Sequence, residues 1–214
     1  NKLIGVHNMQ NKQNDMLPSA TIFISKVREL FSKGLDPDDI WSKASIYLKE
    51  MLNDPNLLDH SKKWPTSPAK LGLQGKHANL LFYEDPDYGF VINALIKKPS
   101  AKTTIHDHGK SWTLYGVVDG GEDVLRFKTT KNINPEDLPS SAQVEQTSKV
   151  NVGPGYVDFI KPWEIHAEYN LNKPTVAIIV RSQRCGTYIQ NIYYNKDNSV
   201  EQYFGPEQIP FHLG

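Results

Sequence analysis

The spacing of apolar residues changes once along this chain. Between Ser19 and Ser32, Phe23, Val27, Leu30 and Phe31 recur at helical intervals and share one face. Gly34 closes that helix. Asp36-Pro37 reads as an N-cap followed by proline at the first helical position. Ile40, Ala44, Tyr47, Leu48, Met51 and Leu52 then form a second helical stripe. Such stripes must be buried, so the two helices are expected to lie against the body that follows. Asn53 to Pro68, with Pro55, Pro65 and Pro68, reads as a connection. From Asn79 onward the pattern becomes short β-strands: Asn79–Glu84, Gly89–Lys97, Thr103–His108, Ser111–Val118, Asp123–Thr129, Ala142–Val150, Tyr156–Ile160, Ile165–Tyr169, Thr175–Ser182 and Thr187–Tyr194. Gly- and Pro-containing turns such as Asp119-Gly-Gly121 and Gly153-Pro-Gly155 separate them. Thr130 to Ser141 reads as a longer loop. Short strands at this spacing predict a mainly β barrel or sandwich. The expected organisation is an N-terminal helical segment, residues 1–68, packed on a barrel, residues 69–214, as one structural domain.

Composition narrows the function. Lys plus Arg number 24 and Asp plus Glu number 24, so the 214-residue chain has no net charge. That argues against nucleic acid as a partner and against a polybasic membrane contact. The longest apolar runs, Phe90 to Ile96 and Thr175 to Val180, fall well short of the ~20 residues of a membrane helix. Asn1 to Gln13 is polar, without the apolar stretch of a secretory signal. The single cysteine, Cys185, can form no internal disulfide, so a reducing, cytoplasmic setting is expected. Flanked by Arg184 and Gly186 at a turn, it reads as an inert thiol.

Of seven histidines, His106 and His108 stand out. Residues two apart on a strand point the same way, so their imidazoles converge as metal ligands do. Asp107 then points away and is read as structural or solvated. A metal needs a third ligand, and His166 is the best candidate. Trp112, Thr113, Tyr115 and Gln183 are expected to line a pocket; Trp112 and Tyr115, like Tyr156 and Trp163, could equally be packing residues. Arg181 shares a strand face with Ile179 and Gln183. If that face is the interior, its guanidinium sits near the metal and suits a substrate carboxylate; otherwise it reaches solvent or pairs with Glu168. His60, between Asp59 and Lys62, reads as a surface residue, and Gly72 and Gly75 as loop glycines.

His106-X-His108-Gly109, then Gly153-Pro-Gly155, His166 and Asn170, resemble the two motifs of the cupin family over roughly residues 79 to 183. The resemblance implies a double-stranded β-helix, similar to the jelly roll, with three histidines holding a divalent metal at one end. Positions four and five after the second histidine are Trp112 and Thr113, so the glutamate of most metal cupins is absent. Three neutral imidazoles leave the ion its full charge, which suits an anionic ligand. Thr104-Ile-His-Asp-His-Gly109, Trp112, Gly116-Val-Val-Asp-Gly120 and Asn79-Leu-Leu-Phe-Tyr-Glu-Asp-Pro-Asp-Tyr-Gly-Phe90 resemble the bacterial cysteine dioxygenase-like members.

That resemblance implies an iron(II) dioxygenase acting on a small anionic thiol or carboxylate, with dioxygen as co-substrate. Nickel, zinc or manganese are alternatives for the metal. The chain departs from the family pattern in three places. Ala78 stands where members carry a carboxylate-binding arginine. Ile179, Arg181 and Gln183 stand where they carry a Ser-His-Tyr relay. Thr113 replaces the cysteine that some members cross-link to tyrosine. Two other readings therefore remain open: a cupin that binds a metal or small ligand without turnover, and an isomerase or hydrolase using another divalent metal. Oligomeric state is not fixed by the sequence, and a dimer is compatible with it.

Overall fold

The computed structural model describes residues 15–66 and 77–214. The polar N-terminal stretch, the proposed boundary at residue 68, Gly72, Gly75 and the side chain of Ala78 lie outside the described residues. Among the described residues three helices come first: α1 (Pro18–Ser32), α2 (Pro37–Leu52) and α3 (Pro55–Ser61). Each begins on proline, whose missing N–H costs nothing in a first turn. Asp36 precedes α2 but makes no side-chain cap, whereas Asp54 accepts from the Asn56 amide at 2.9 Å and caps α3. The segment read as a connection thus contains a helix. Its Asp-Pro start is a helix signal, and Leu57 is fully buried.

Twelve strands follow: β1 (His77–Glu84), β2 (Val91–Lys97), β3 (Ile105–His106), β4 (Thr113–Asp119), β5 (Glu122–Thr129), β6 (Val144–Val152), β7 (Val157–Ile160), β8 (Ile165–Asn170), β9 (Thr175–Arg181), β10 (Gln190–Tyr193), β11 (Val200–Tyr203) and β12 (Ile209–Pro210). They form two six-stranded sheets, β12-β1-β2-β9-β4-β7 and β11-β10-β3-β8-β5-β6. The eight central strands pair first with last and inward: β2 with β9, β3 with β8, β4 with β7, β5 with β6, all antiparallel. This is one long hairpin wound upon itself, the double-stranded β-helix or jelly roll. The expected fold class, a mainly β barrel of this kind with N-terminal helices against it, is the fold observed.

Strand alternation divides the core in two. Leu114 and Val118 of β4 and Ile178 and Val180 of β9 face the helices, packing with Phe23, Val27, Trp41 and Leu48. A Cβ at Gly116 would lie 2.9 Å from Leu52 Cδ1, so glycine there lets α2 approach β4 closely. The alternate residues Tyr115, Val117, Ala177 and Ile179 face the barrel interior with Leu95, Val124, Val152 and Ile160. Arg181, two residues beyond Ile179, shares that inward face. Among the described residues, no helix is long and apolar enough to cross a membrane.

Candidate metal centre

His106 ends the two-residue strand β3, where its Cα pairs with His166 of β8 on one side and Ile192 of β10 on the other. The strand is shorter than the expected Thr103–His108, and His108 lies beyond its end. Asp107 explains why. Its carboxylate is fully buried and accepts from the amides of Gly109 and Asn191, both at 2.9 Å, from Asn191 Nδ2 at 3.0 Å and from the Tyr193 hydroxyl at 2.9 Å. It is structural and not solvated. These bonds turn the chain out of the ladder and fix the residues on either side. Gly109 completes the turn at φ +54°, and a Cβ there would lie 2.1 Å from the Ile189 carbonyl oxygen.

The three imidazoles are buried and meet at steep angles, with ring centroids 4.7 to 5.0 Å apart. His108 Nε2 lies 2.8 Å from His166 Nε2, which lies 3.2 Å from His106 Nε2. A divalent ion held at ~2.1 Å by adjacent ligands sets their nitrogens about 3 Å apart, so the spacing fits a metal. At His106 the donor chemistry fits too. His106 Nδ1 donates to the Thr104 carbonyl at 2.7 Å, which leaves its Nε2 lone pair facing the centre. Burial keeps His166 neutral, pushing it down to about 3, with Glu168 opposing. Burial, reinforced by the Arg181 charge, holds His108 well below the usual imidazole range. Neutral imidazole is the ligating form.

Two buried side chains support this cluster. Glu168, two residues beyond His166 and on the same face of β8, places Oε1 3.6 Å from His166 Nδ1. Its other oxygen accepts from the Thr103 hydroxyl at 3.0 Å. Burial alone would raise this carboxyl, but the neighbouring His166 and Lys97 bring it down to about 2. Arg181 Nη1 donates to His108 Nδ1 at 2.8 Å and to the Tyr188 hydroxyl at 3.3 Å. Nearby, the fully buried Lys97 pairs with Glu122, which also accepts from the Tyr115 hydroxyl. Lys97 is thereby neutralised. Arg181 has no carboxylate partner among the described residues.

The cluster opens on a cavity of about 360 Å³ walled by His106, His108, Tyr115, Glu168, Arg181 and Gln190, with Leu95, Ile179 and Ile192 as apolar surface. Of the pocket residues expected from sequence, only Tyr115 lines this cavity. Trp112 lies on the helix side of β4 and stacks on Phe159, rings 6.0 Å apart. Thr113 faces inward but is enclosed by its neighbours, not by the cavity. Gln183 sits past the end of β9, in a turn where its Nε2 donates to the Thr187 hydroxyl at 2.8 Å. Trp163 donates through Nε1 to Glu136 at 3.2 Å, and Tyr156 packs at the rim of the inner cluster. His60 is buried, not a surface residue: its Nδ1 accepts from Trp64 Nε1 at 2.8 Å and its Nε2 donates to the Gly214 carbonyl at 3.1 Å. Cys185 is buried beside the Tyr188 hydroxyl, at 3.8 Å.

Sequence reasoning missed Glu168 as a support for His166, and missed Tyr188 and Gln190 altogether. Glu168 carried a usable signal, its i+2 position after His166.

No family model matches this chain, and no curated protein matches it. Solved structures with partial likeness include a Klebsiella pneumoniae protein with a double-stranded β-helix domain, at 15% identity and TM-score 0.35 over 51% of this chain and 78% of that one. An oxalate oxidase matches at 13% identity and TM-score 0.39, over 52% of this chain and 53% of its own. The DMSP lyase DddQ of Ruegeria pomeroyi matches at 11% identity and TM-score 0.41, over 63% and 62%. Likeness at this level bears on neither reaction nor substrate.

Proposed function

We propose that this protein holds one divalent transition metal, iron(II) foremost, on His106, His108 and His166 and oxidises a small anionic thiol or carboxylate with dioxygen. The observation that carries this reading is the convergence of three buried imidazoles through Nε2 beside a cavity. Bound there, iron(II) would supply redox chemistry toward dioxygen, with no carboxylate among its three protein ligands.

The chain's own residues supply the rest. The Thr104 carbonyl fixes the ring orientation of His106, and Glu168 sets a carboxylate 3.6 Å from His166 Nδ1. Arg181 offers a permanent positive charge to a substrate carboxylate. Leu95, Ile179 and Ile192 give the cavity its apolar wall. Tyr115 lines the cavity, but its proton is committed to Glu122. For a thiol substrate the overall reaction is RSH + O2 → RSO2H: both oxygen atoms pass to sulfur, and the four electrons come from it.

One observation favours a second reading, a binding cupin without turnover: Ile179, Arg181 and Gln183 supply no Ser-His-Tyr relay. Oxygen uptake separates the two. Iron-loaded protein is expected to consume dioxygen with at least one thiol or hydroxy acid of a small-molecule panel. Absence of uptake across the panel, with iron bound, would favour binding alone.

A further inference from the structure

Cys185 follows β9 in a turn held to the end of β11, where the Gly186 amide donates to the Phe204 carbonyl at 2.8 Å. Its surroundings are polar, which is unusual for a buried thiol. On one side, Sγ lies 3.8 Å from the Tyr188 hydroxyl, whose oxygen accepts from Arg181 Nη1 at 3.3 Å. The hydroxyl's own hydrogen is therefore available toward sulfur. On the other side is Gly205. A Cβ there would lie 3.3 Å from Cys185 Sγ and 2.4 Å from Gln190 Nε2, so thiol and amide converge on one spot. Burial alone would lower Arg181, yet Cys185 and Tyr188 facing it hold it above its ordinary value. Two donors around this thiol are unpartnered: Arg181 Nε and Gln190 Nε2 make no hydrogen bond and are sealed from solvent. A buried cation without an anion and a buried amide without an acceptor are both costly. No dissolved ligand reaches them through a closed wall, but an acceptor made in place does. Cys185 is the most accessible of the three residues, at 9% exposure against 4% for Arg181 and 1% for Gln190.

We infer that Cys185 is an oxidation site, at which hydrogen peroxide converts the thiol to a sulfinate held by Arg181, Gln190 and Tyr188. Sulfur attacks one peroxide oxygen; an S–O bond forms as the O–O bond breaks, and water leaves: RSH + H2O2 → RSOH + H2O. A second peroxide repeats the exchange, RSOH + H2O2 → RSO2− + H+ + H2O, and the proton passes to solvent. Sulfur gives up two electrons in each step. A guanidinium beside the thiol supplies the electropositive surroundings that favour the first. The sulfinate supplies what the corner lacks, an anion with acceptor oxygens. The mark is irreversible without a dedicated reductase, and it sets a permanent anion against Arg181. An anionic ligand of the cavity must then compete with it for that charge. This last consequence rests on the substrate reading; the oxidation site itself does not.

Peroxide treatment of the folded protein, with a chelator present to exclude metal-driven oxidation, tests this. Digestion and mass spectrometry should find two added oxygen atoms on the peptide that carries Cys185. The melting temperature should rise by about 3 °C, because the new anion satisfies donors that were unpaired. Cys185→Ser, treated alike, should show no rise, which sets aside any effect of oxidised methionine. Gln190→Leu should gain the oxygens but show less of the rise. A thiol that survives in folded protein at a dose that oxidises it in urea would overturn the inference. So would a melting temperature that falls on oxidation of wild type, or a rise in Gln190→Leu equal to that of wild type, since the named donors would then not hold the sulfinate. Loss of two hydrogens from the peptide, the mass of a thioether between Cys185 and Tyr188, would overturn it as well.

Discussion

Arg181 Nη1 donates a hydrogen bond to His108 Nδ1 at 2.8 Å. A guanidinium can only donate, so the neutral His108 ring carries its proton on Nε2, the nitrogen 2.8 Å from His166 Nε2. Metal-ligating histidines ordinarily donate their other N–H to an acceptor. Here a cation stands in the acceptor's place. A metal on His108 Nε2 therefore competes with Arg181 twice, through the proton and through like charge.

The first prediction follows from that competition. Arg181→Leu should raise cobalt(II) affinity, on the order of 3- to 10-fold, while lowering affinity for carboxylate ligands. Calorimetric titration of the metal-free variant and wild type measures it. A drop in metal affinity would mean that Arg181 supports the ligand set and does not oppose it.

Glu168 should act in the opposite direction. Its carboxylate lies 3.6 Å from His166 Nδ1. Glu168→Gln keeps size and shape but removes that charge. Metal affinity should fall about 10- to 100-fold, as for other second-layer carboxylates on histidine ligands. The same titration reads it, and an unchanged affinity would show that Glu168 serves the fold alone.

Acid should destabilise the metal-free protein. His166 titrates at about 3 when folded, against a usual value near 6.5. The unfolded chain thus takes up a proton that the folded chain refuses, and stability falls as pH drops through 6.5 toward 3. His108 is depressed by burial in the same sense. His166 alone accounts for about 2 kcal/mol of loss by pH 5. Urea unfolding at pH 7.5 and pH 5 measures it; midpoints that coincide would contradict neutral, buried imidazoles.

Asp107 carries a structural prediction. Four donors converge on its buried carboxylate. Asp107→Ala takes the acceptor from all four, of which only Asn191 Nδ2 has another, the Pro135 carbonyl, at a cost of about 3 kcal/mol or more, and frees the turn that carries His108. Both the unfolding midpoint and cobalt affinity should drop. If stability falls while metal affinity does not, the turn is not what places His108.

The barrel and its helices were legible because alternation and helical stripes survive in the sequence. The meeting of His106 and His108 was legible for a related reason, although β3 stops at His106 and it is Asp107, bonded to β10, that carries the chain on to His108. Strand alternation also held information that the pocket expectation passed over. Trp112 and Tyr115 are three residues apart, so they could not face the same side of β4. Gln183 lies beyond the last residue of β9, where alternation no longer applies. Gln190 and Tyr188 were not legible. Gln190 reaches the cavity on β10, which enters the sheet beside β3 and carries no motif, and Tyr188 lies before that strand, against Arg181. His60 misled because its charged neighbours say nothing of Trp64 or of the chain's last residue, which bury it.

Metal content tests the account most directly. Wild-type protein loaded with cobalt(II) and freed of excess should carry one ion per chain by mass spectrometry, and His106→Ala, His108→Ala and His166→Ala should each carry almost none while remaining folded. A full equivalent of metal retained by any of the three variants would contradict the proposed centre.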